Sequence, residues 1–233
     1  MDTTYQYSPG SDIRVRGLPT YVVIDSSGSM KPHEQLLNDN ILEIIDILLS
    51  RPQIREFVHL SIIEFNTRPH LLRGMSDVLE GAITPKVTCG GATNYGAMFD
   101  LIRDRINVDV PALSSAGVNV LRPFVIFLTD GAPTDESADA WLGPLGRLLD
   151  KGWRRHPHTM SYGFGNAGEH VLRKISTLRA FTAEESIKGS VEALSSALNS
   201  ILRSLVASAQ KKQLQIPEDV AGFRSIPLDD GLY

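Results

Sequence analysis

Two rhythms of apolar and polar positions run along the chain. Leu18–Ile24 reads LPTYVVI, an apolar run bounded by turn residues, which predicts a strand buried on both faces. From Pro32 the rhythm changes. Leu37, Ile41, Ile44, Ile45 and Leu48 fall on one side, and Asp39, Glu43, Asp46 and Ser50 on the other, the spacing of an amphipathic helix that Pro52 ends. Phe57–Phe65 predicts a second strand, with Arg68–Arg73 as a short neighbour across a tight turn at Asn66-Thr67. Residues 74–92 look irregular. Tyr95, Met98, Ile102 and Ile106 then have helical spacing, and Val108–Val120 reads as a long small-residue connection. Pro123–Leu128 predicts another fully buried strand, Trp141–Leu149 a helix, His158–Phe164 a strand, Gly168–Leu178 a helix and Ala180–Thr182 a short strand. Ser190 is placed to cap a final helix with Val191, Leu194, Leu198, Ile201, Leu202 and Leu205 on one side.

Strands alternating with helices predict an α/β fold: a doubly wound, mainly parallel central sheet with helices on both faces and one short antiparallel edge strand near Arg68–Arg73. Residues 1–17, rich in Ser, Thr, Tyr, Gly and Asp, read as a flexible leader, and 18–208 as the domain. Residues 209–233, with two prolines, mixed charge and little periodicity, read as a C-terminal extension draped on the domain or free until a partner captures it. No internal repeat interrupts this order.

Composition narrows the function classes. The 233 residues are 42% hydrophobic and 21% charged, enough for a full core, and the net charge of −4 argues against life on nucleic acid or acidic lipid. No apolar run is long enough to span a membrane, and the polar start lacks the apolar core of a signal peptide. The single cysteine, Cys89, excludes an intrachain disulfide and reads as structural. A cytoplasmic location is the resulting expectation.

The candidate chemistry lies at strand ends. The first strand stops at Asp25, and Ser27 and Ser29 follow at alternate positions around Gly28. In an open α/β sheet, ligands gather beyond the carboxyl ends of the strands. An oxygen-only grouping suits a hard cation, although an Asp/Ser cap on the next helix would use the same residues. Thr93 lies in Gly90-Gly-Ala-Thr-Asn, a glycine-rich loop before a helix, and Asp130 follows the FVIFL strand in Leu128-Thr-Asp-Gly.

Asp25, Ser27, Ser29, Thr93 and Asp130 together resemble the metal-ion-dependent adhesion site of the von Willebrand factor type A (VWA) domain family, whose pattern is Asp-x-Ser-x-Ser, then a loop threonine, then a strand-terminal aspartate. The resemblance spans roughly Leu18 to Leu205. DSSGSM after Leu-Pro-x-Tyr, Ile-Glu-Phe-Asn, GGATNYG and LTDGAPTD are closer still to bacterial cytoplasmic members of the tellurium-resistance-associated TerY type. The resemblance implies magnesium, with manganese or calcium as alternatives, bound directly by Ser27 and Ser29 and directly or through water by Thr93. Asp25 and Asp130 would nearly neutralise the cation, at least one of them through water. A coordination position then stays open for a protein partner's Asp or Glu carboxylate. TerY-type members act in stress responses such as tellurite or metal resistance, with kinase or phosphatase partners, and the resemblance carries that context with it.

Rival chemistries find less support. Haloacid-dehalogenase phosphotransferases need Asp-x-Asp, and position 27 is Ser; His33, the nearest base for a serine nucleophile, has no evident orienting carboxylate. Gly163-Phe-Gly165-Asn-Ala-Gly168 matches a dinucleotide fingerprint formally, but it falls late in the chain, and Glu184 and Glu185 come early for its acidic partner. A phosphoester- or nucleotide-acting enzyme and a structural scaffold with a vestigial metal site therefore remain as alternatives to a recognition module. His156-Pro-His158 beside Arg154 and Arg155 reads as an exposed basic strand lead-in, Lys211-Lys212 as a solvated pair, and Asp229-Asp230 as carboxylates the metal itself could capture.

Overall fold

The structure, a computed structural model, describes residues 15–75, 85–187 and 191–228. Strand β1 (Arg16–Asp25) is an interior strand of the sheet, buried from Gly17 onward. It pairs in parallel with β2 (Val58–Phe65) on one side and with β5 (Phe124–Thr129) on the other. Beyond β2 lies β3 (Pro69–Arg73), antiparallel, the edge strand expected near Arg68–Arg73. Beyond β5 come β6 (His158–Gly163) and β7 (Arg179–Ala183), both parallel, and then β8 (Phe223–Ile226), antiparallel. A two-residue β4 (Asn119–Val120) pairs with Arg16 and Gly17 at the start of β1.

Strand alternation divides the core. Leu18, Val22 and Ile24 of β1 join Phe124, Ile126 and Leu128 of β5 on one face. There they pack beneath helices α1 (Glu34–Ser50), α2 (Pro52–Phe57) and α6 (Val191–Lys211). Tyr21, Val23, Val125 and Phe127 point to the other face, under α3 (Tyr95–Ser115), α4 (Leu142–Leu149) and α5 (Glu169–Ile175). The doubly wound α/β architecture is therefore as expected. Among the described residues no helix is long and apolar enough to cross a membrane.

Local departures have local causes. Arg16 and Gly17, assigned to the leader, belong to the sheet, and a Cβ on Gly17 would lie 2.5 Å from Val118 Cγ1 and 2.6 Å from His59 Nε2. Pro32 lies in a short 3-10 turn (Gly28–His33) that precedes α1. Pro52 ends α1 but also opens α2, where its missing N–H costs no hydrogen bond. The expected connection at Val108–Val120 is helical as far as Ser115, because Asp109 is buried, accepting from Tyr21 Oη at 3.1 Å and pairing with Arg105. The position of Ser190, expected as a cap, lies outside the described residues.

The C-terminal stretch contributes an edge of the sheet. Serines on α6 hold its return: Ser208 Oγ accepts from Gln215 N at 2.8 Å, and Ser204 and Ser196 donate to the carbonyls of Gln215 and Ala221. Val220, Phe223 and Ile226 are buried against the sheet and α6. Each such side chain contributes roughly 1.5–3 kcal/mol on burial. A chain ending after Lys212 is therefore expected to lose at least about 3 kcal/mol in urea denaturation. An unchanged midpoint would show that β8 is dispensable.

Candidate metal centre

Chain order builds the site. After β1 the chain adds β2 and β3 on one side, then returns to place β5 on the other, so strand order reverses between β1 and β5. Such a switch point leaves a crevice at the carboxyl ends of the strands. Asp25 ends β1 and Asp130 follows β5, one on each lip of that crevice.

The turn after β1 is set by its own side chains. Asp25 Oδ1 accepts from Ser27 N at 2.9 Å, and Ser26 N donates to Phe65 O at 2.8 Å. The Ser27 and Ser29 hydroxyls lie 3.1 Å apart, and Ser29 Oγ donates to Asp130 Oδ1 at 2.8 Å. The glycine-rich loop is laced to this turn by Gly90 N to Ser26 O at 2.8 Å and Gly28 N to Gly91 O at 3.1 Å. Gly91 is left-handed (φ +78°), and a Cβ there would lie 2.4 Å from Thr67 Oγ1, so glycine is required. Thr93 is tied to the third loop, its N–H donating to Thr134 Oγ1 at 2.7 Å and its carbonyl accepting from Thr134 N at 3.0 Å. A Cβ built on Gly131 would stand 3.4 Å from Thr93 Oγ1 and 3.6 Å from Asp25 Oδ2, so these two oxygens flank one small space. All five expected residues thus meet at one end of the sheet.

Asp25 is fully buried, and Ser27, Thr93 and Asp130 are each less than a tenth exposed, whereas Ser29 opens to solvent. Burial pushes the Asp25 carboxyl up to about 6, against the opposing pull of hydrogen bonds from Thr129 and Ser27, and the nearby Asp130 charge adds to the rise. Burial also raises Asp130, with Ser29 and His33 pulling the other way. Neither carboxylate has an ion pair among the described residues, where buried carboxylates ordinarily require one. Among the described residues no cluster of three or more His, Cys, Asp or Glu side chains forms, so the oxygens gathered here are those of two carboxylates and three hydroxyls. Two carboxylates and three hydroxyls gathered in one crevice fit a hard divalent cation.

Residues that linear spacing did not single out hold this set in place. Tyr95 Oη donates to Thr129 Oγ1 at 3.0 Å, and Thr129 Oγ1 donates to Asp25 Oδ2 at 2.7 Å. Asp135 accepts from Tyr95 N and Gly96 N at 3.1 and 2.7 Å, joining Asn94 in capping α3. LTDGAPTD contains Thr129, Thr134 and Asp135, but nothing in the linear sequence couples them to Asp25 or Tyr95.

The Gly163–Gly168 loop has a packing role. A Cβ on Gly163 would lie 2.3 Å from Leu172 Cδ1. Gly165 (φ +54°) lies against Asp130, where a Cβ would be 3.0 Å from the Asp130 carbonyl, and Asn166 N donates to that carbonyl at 2.7 Å. The adjoining cleft of about 420 Å³ holds Glu169, Glu184 and Glu185, with Arg224 paired to Glu169, a poor setting for phosphate. Gly165→Ala is expected to cost about 1–2 kcal/mol, from the left-handed backbone and the contact with Asp130, and to weaken cation binding about tenfold or more. Calorimetric affinity equal to wild type would remove the loop from the site.

The remaining candidates lie elsewhere. His158 opens β6 at the opposite end of the sheet, with His156 just ahead of it. Cys89 is buried, its thiol pushed up to about 12 by burial and then by the Glu34 charge. Lys212, expected to be merely solvated, pairs with Glu56 at 3.3 Å and sits 5.7 Å from the Phe57 ring centre. Asp229 and Asp230 lie outside the described residues.

No family model and no curated protein sequence matches the chain. Solved structures of the same fold do. A von Willebrand factor type A protein from Catenulispora acidiphila aligns over 83% of this chain and 43% of its own, at 15% identity and TM-score 0.57. Proximal thread matrix protein 1 from the mussel byssus, with a zinc-occupied MIDAS motif, aligns over 83% and 48%, at 15% and 0.53. The pilus adhesin SpaC from Lactobacillus rhamnosus GG aligns over 82% and 30%, at 15% and 0.59. The chain thus has the VWA-type fold and spans less than half the length of each of these proteins.

Proposed function

We propose that this chain is a divalent-cation-dependent protein-recognition module. One observation carries the reading: Asp25, a fully buried carboxylate without a cationic partner among the described residues, shares one crevice with the oxygens of Ser27, Ser29, Thr93 and Asp130. These residues would hold magnesium, or manganese or calcium in its place. When bound, the cation supplies a Lewis-acidic position for an Asp or Glu carboxylate of a partner. The zinc-occupied MIDAS of the mussel byssus protein supports a divalent ion in a site on this fold. The protein itself supplies position: the Tyr95–Thr129 relay fixes Asp25, Ser29 holds Asp130, and the exposure of Ser29 leaves the rim accessible.

The TerY-like motifs support assigning the module to a cytoplasmic bacterial stress response of the tellurite- or metal-resistance kind, with a kinase or phosphatase as the proposed partner. The immobilised chain is expected to retain a bacterial protein in magnesium, to release it in EDTA, and to fail to retain it as Ser29→Ala. A complex indifferent to EDTA would place the contact on another face.

A further inference from the structure

The pole opposite the metal centre has its own recognition chemistry. Strand β1 spans ten residues, so Arg16 lies roughly 30 Å from Asp25. Beside that lower end the C-terminal turns of α3, the strand β4 and the turn before β6 enclose an open cleft of about 880 Å³. Val110, Pro111 and Val118 give it an apolar side, while Arg154 and Arg155 stand exposed in its wall. Trp153 lines it too, its ring held under the Arg103 guanidinium at 4.8 Å.

The two arginines have no evident structural task. They are not helix caps, because the last carbonyls of α3 are already taken: Ala112 by Ala116 N, Ser114 by Gly117 N and Leu113 by Val118 N. Neither forms an ion pair among the described residues, and the one contact of Arg155 is a long 3.4 Å hydrogen bond to Asn107. Exposed Arg16 and Arg122 extend the positive character, whereas burial, and then the Arg122 charge, lowers His158 and keeps it from adding to that charge. Asp109 is paired with Arg105 and bonded by Tyr21, while Asp150, which accepts from Gly152 N, keeps its charge beside the cleft. Four exposed arginines, Arg16, Arg122, Arg154 and Arg155, thus stand at this end of a chain whose net charge is −4.

We propose that this basic cleft is a second docking surface, fitted to an acidic polypeptide segment. Arginine and tryptophan beside a small apolar side, on an otherwise polar wall, is the composition of a protein contact. Nucleic acid fits less well, since the remaining surface is net negative. A chain with a metal-dependent face at one pole and a basic cleft at the other can hold two partners at once.

The test is fluorescence anisotropy of a labelled Glu-rich peptide against the full chain in low salt with EDTA. Saturable binding is expected, weakened at least tenfold by Arg154→Glu with Arg155→Glu, weakened less by the corresponding alanines, and unchanged by Asp25→Asn. Circular dichroism of each variant checks folding. The proposal is overturned if the peptide does not bind, if the arginine variants bind as wild type, or if a duplex DNA of equal charge binds as tightly. Dependence on metal would also overturn it, whereas loss of metal binding alone would leave it standing.

Discussion

A protein carrying Asp25→Asn is expected to be more stable than wild type by about 1–3 kcal/mol when both are stripped of metal at pH 7.5, and to have lost cation binding. The sign follows from burial. In the folded, metal-free protein the Asp25 carboxyl titrates at about 6, above its ordinary 3.8. Folding therefore favours the protonated form. Stability present below pH 4 is lost as pH rises through about 6, by up to about 3 kcal/mol at roughly 1.36 kcal/mol per unit. Asparagine keeps the acceptor for Ser27 N and carries no charge, and Thr129 Oγ1 can turn its own proton to the Gly131 carbonyl at 3.3 Å. Urea denaturation in EDTA should show the advantage growing between pH 4 and 7.5. In magnesium at about a thousand times its dissociation constant the order should reverse, since ligation adds about 4.1 kcal/mol to wild type alone. An advantage independent of pH would mean that Asp25 is not held in a costly ionised state.

Thr129→Val is the second large effect. Valine preserves shape and removes the hydroxyl that donates to Asp25 Oδ2 and accepts from Tyr95 Oη. Tyr95 Oη retains the Gly131 carbonyl at 3.3 Å, so the loss falls chiefly on Asp25. Leaving a buried charged oxygen without its donor should cost about 2–3 kcal/mol at pH 7.5, raise the Asp25 titration further, and weaken cation binding about 10- to 100-fold. In the Asp25→Asn background the stability cost should shrink, because the charge that needs the donor is gone. An equal cost in both backgrounds would reduce Thr129 to ordinary packing.

Much of this was legible before any coordinates. The β1 run, the α1 stripe and the strand-end residues Asp25, Ser27, Ser29, Thr93 and Asp130 all follow from periodicity and motif, and the fold brings those five together. What escaped the sequence was held by tertiary contacts. The last turns of α3 continue the stripe through Val110 and Leu113, but Pro111 and the small residues around it read as a break, and buried Asp109 anchors the turn. Strand β8 is four residues long, its return held by hydroxyls of α6, so no local signal marks it. Tyr95 and Thr129 reach Asp25 through side-chain hydrogen bonds that linear spacing does not encode. The glycine loop read as a weak nucleotide motif instead buttresses Asp130, because only the fold shows what each missing Cβ would strike.

Calorimetric titration of magnesium chloride into the EDTA-stripped, dialysed chain at pH 7.5, beside Ser27→Ala, reads the cation site itself. One saturable site is expected in wild type and none in the variant, with both proteins folded by circular dichroism. No binding heat from magnesium, manganese or calcium in wild type, or the same affinity in Ser27→Ala, would contradict a cation site at these residues.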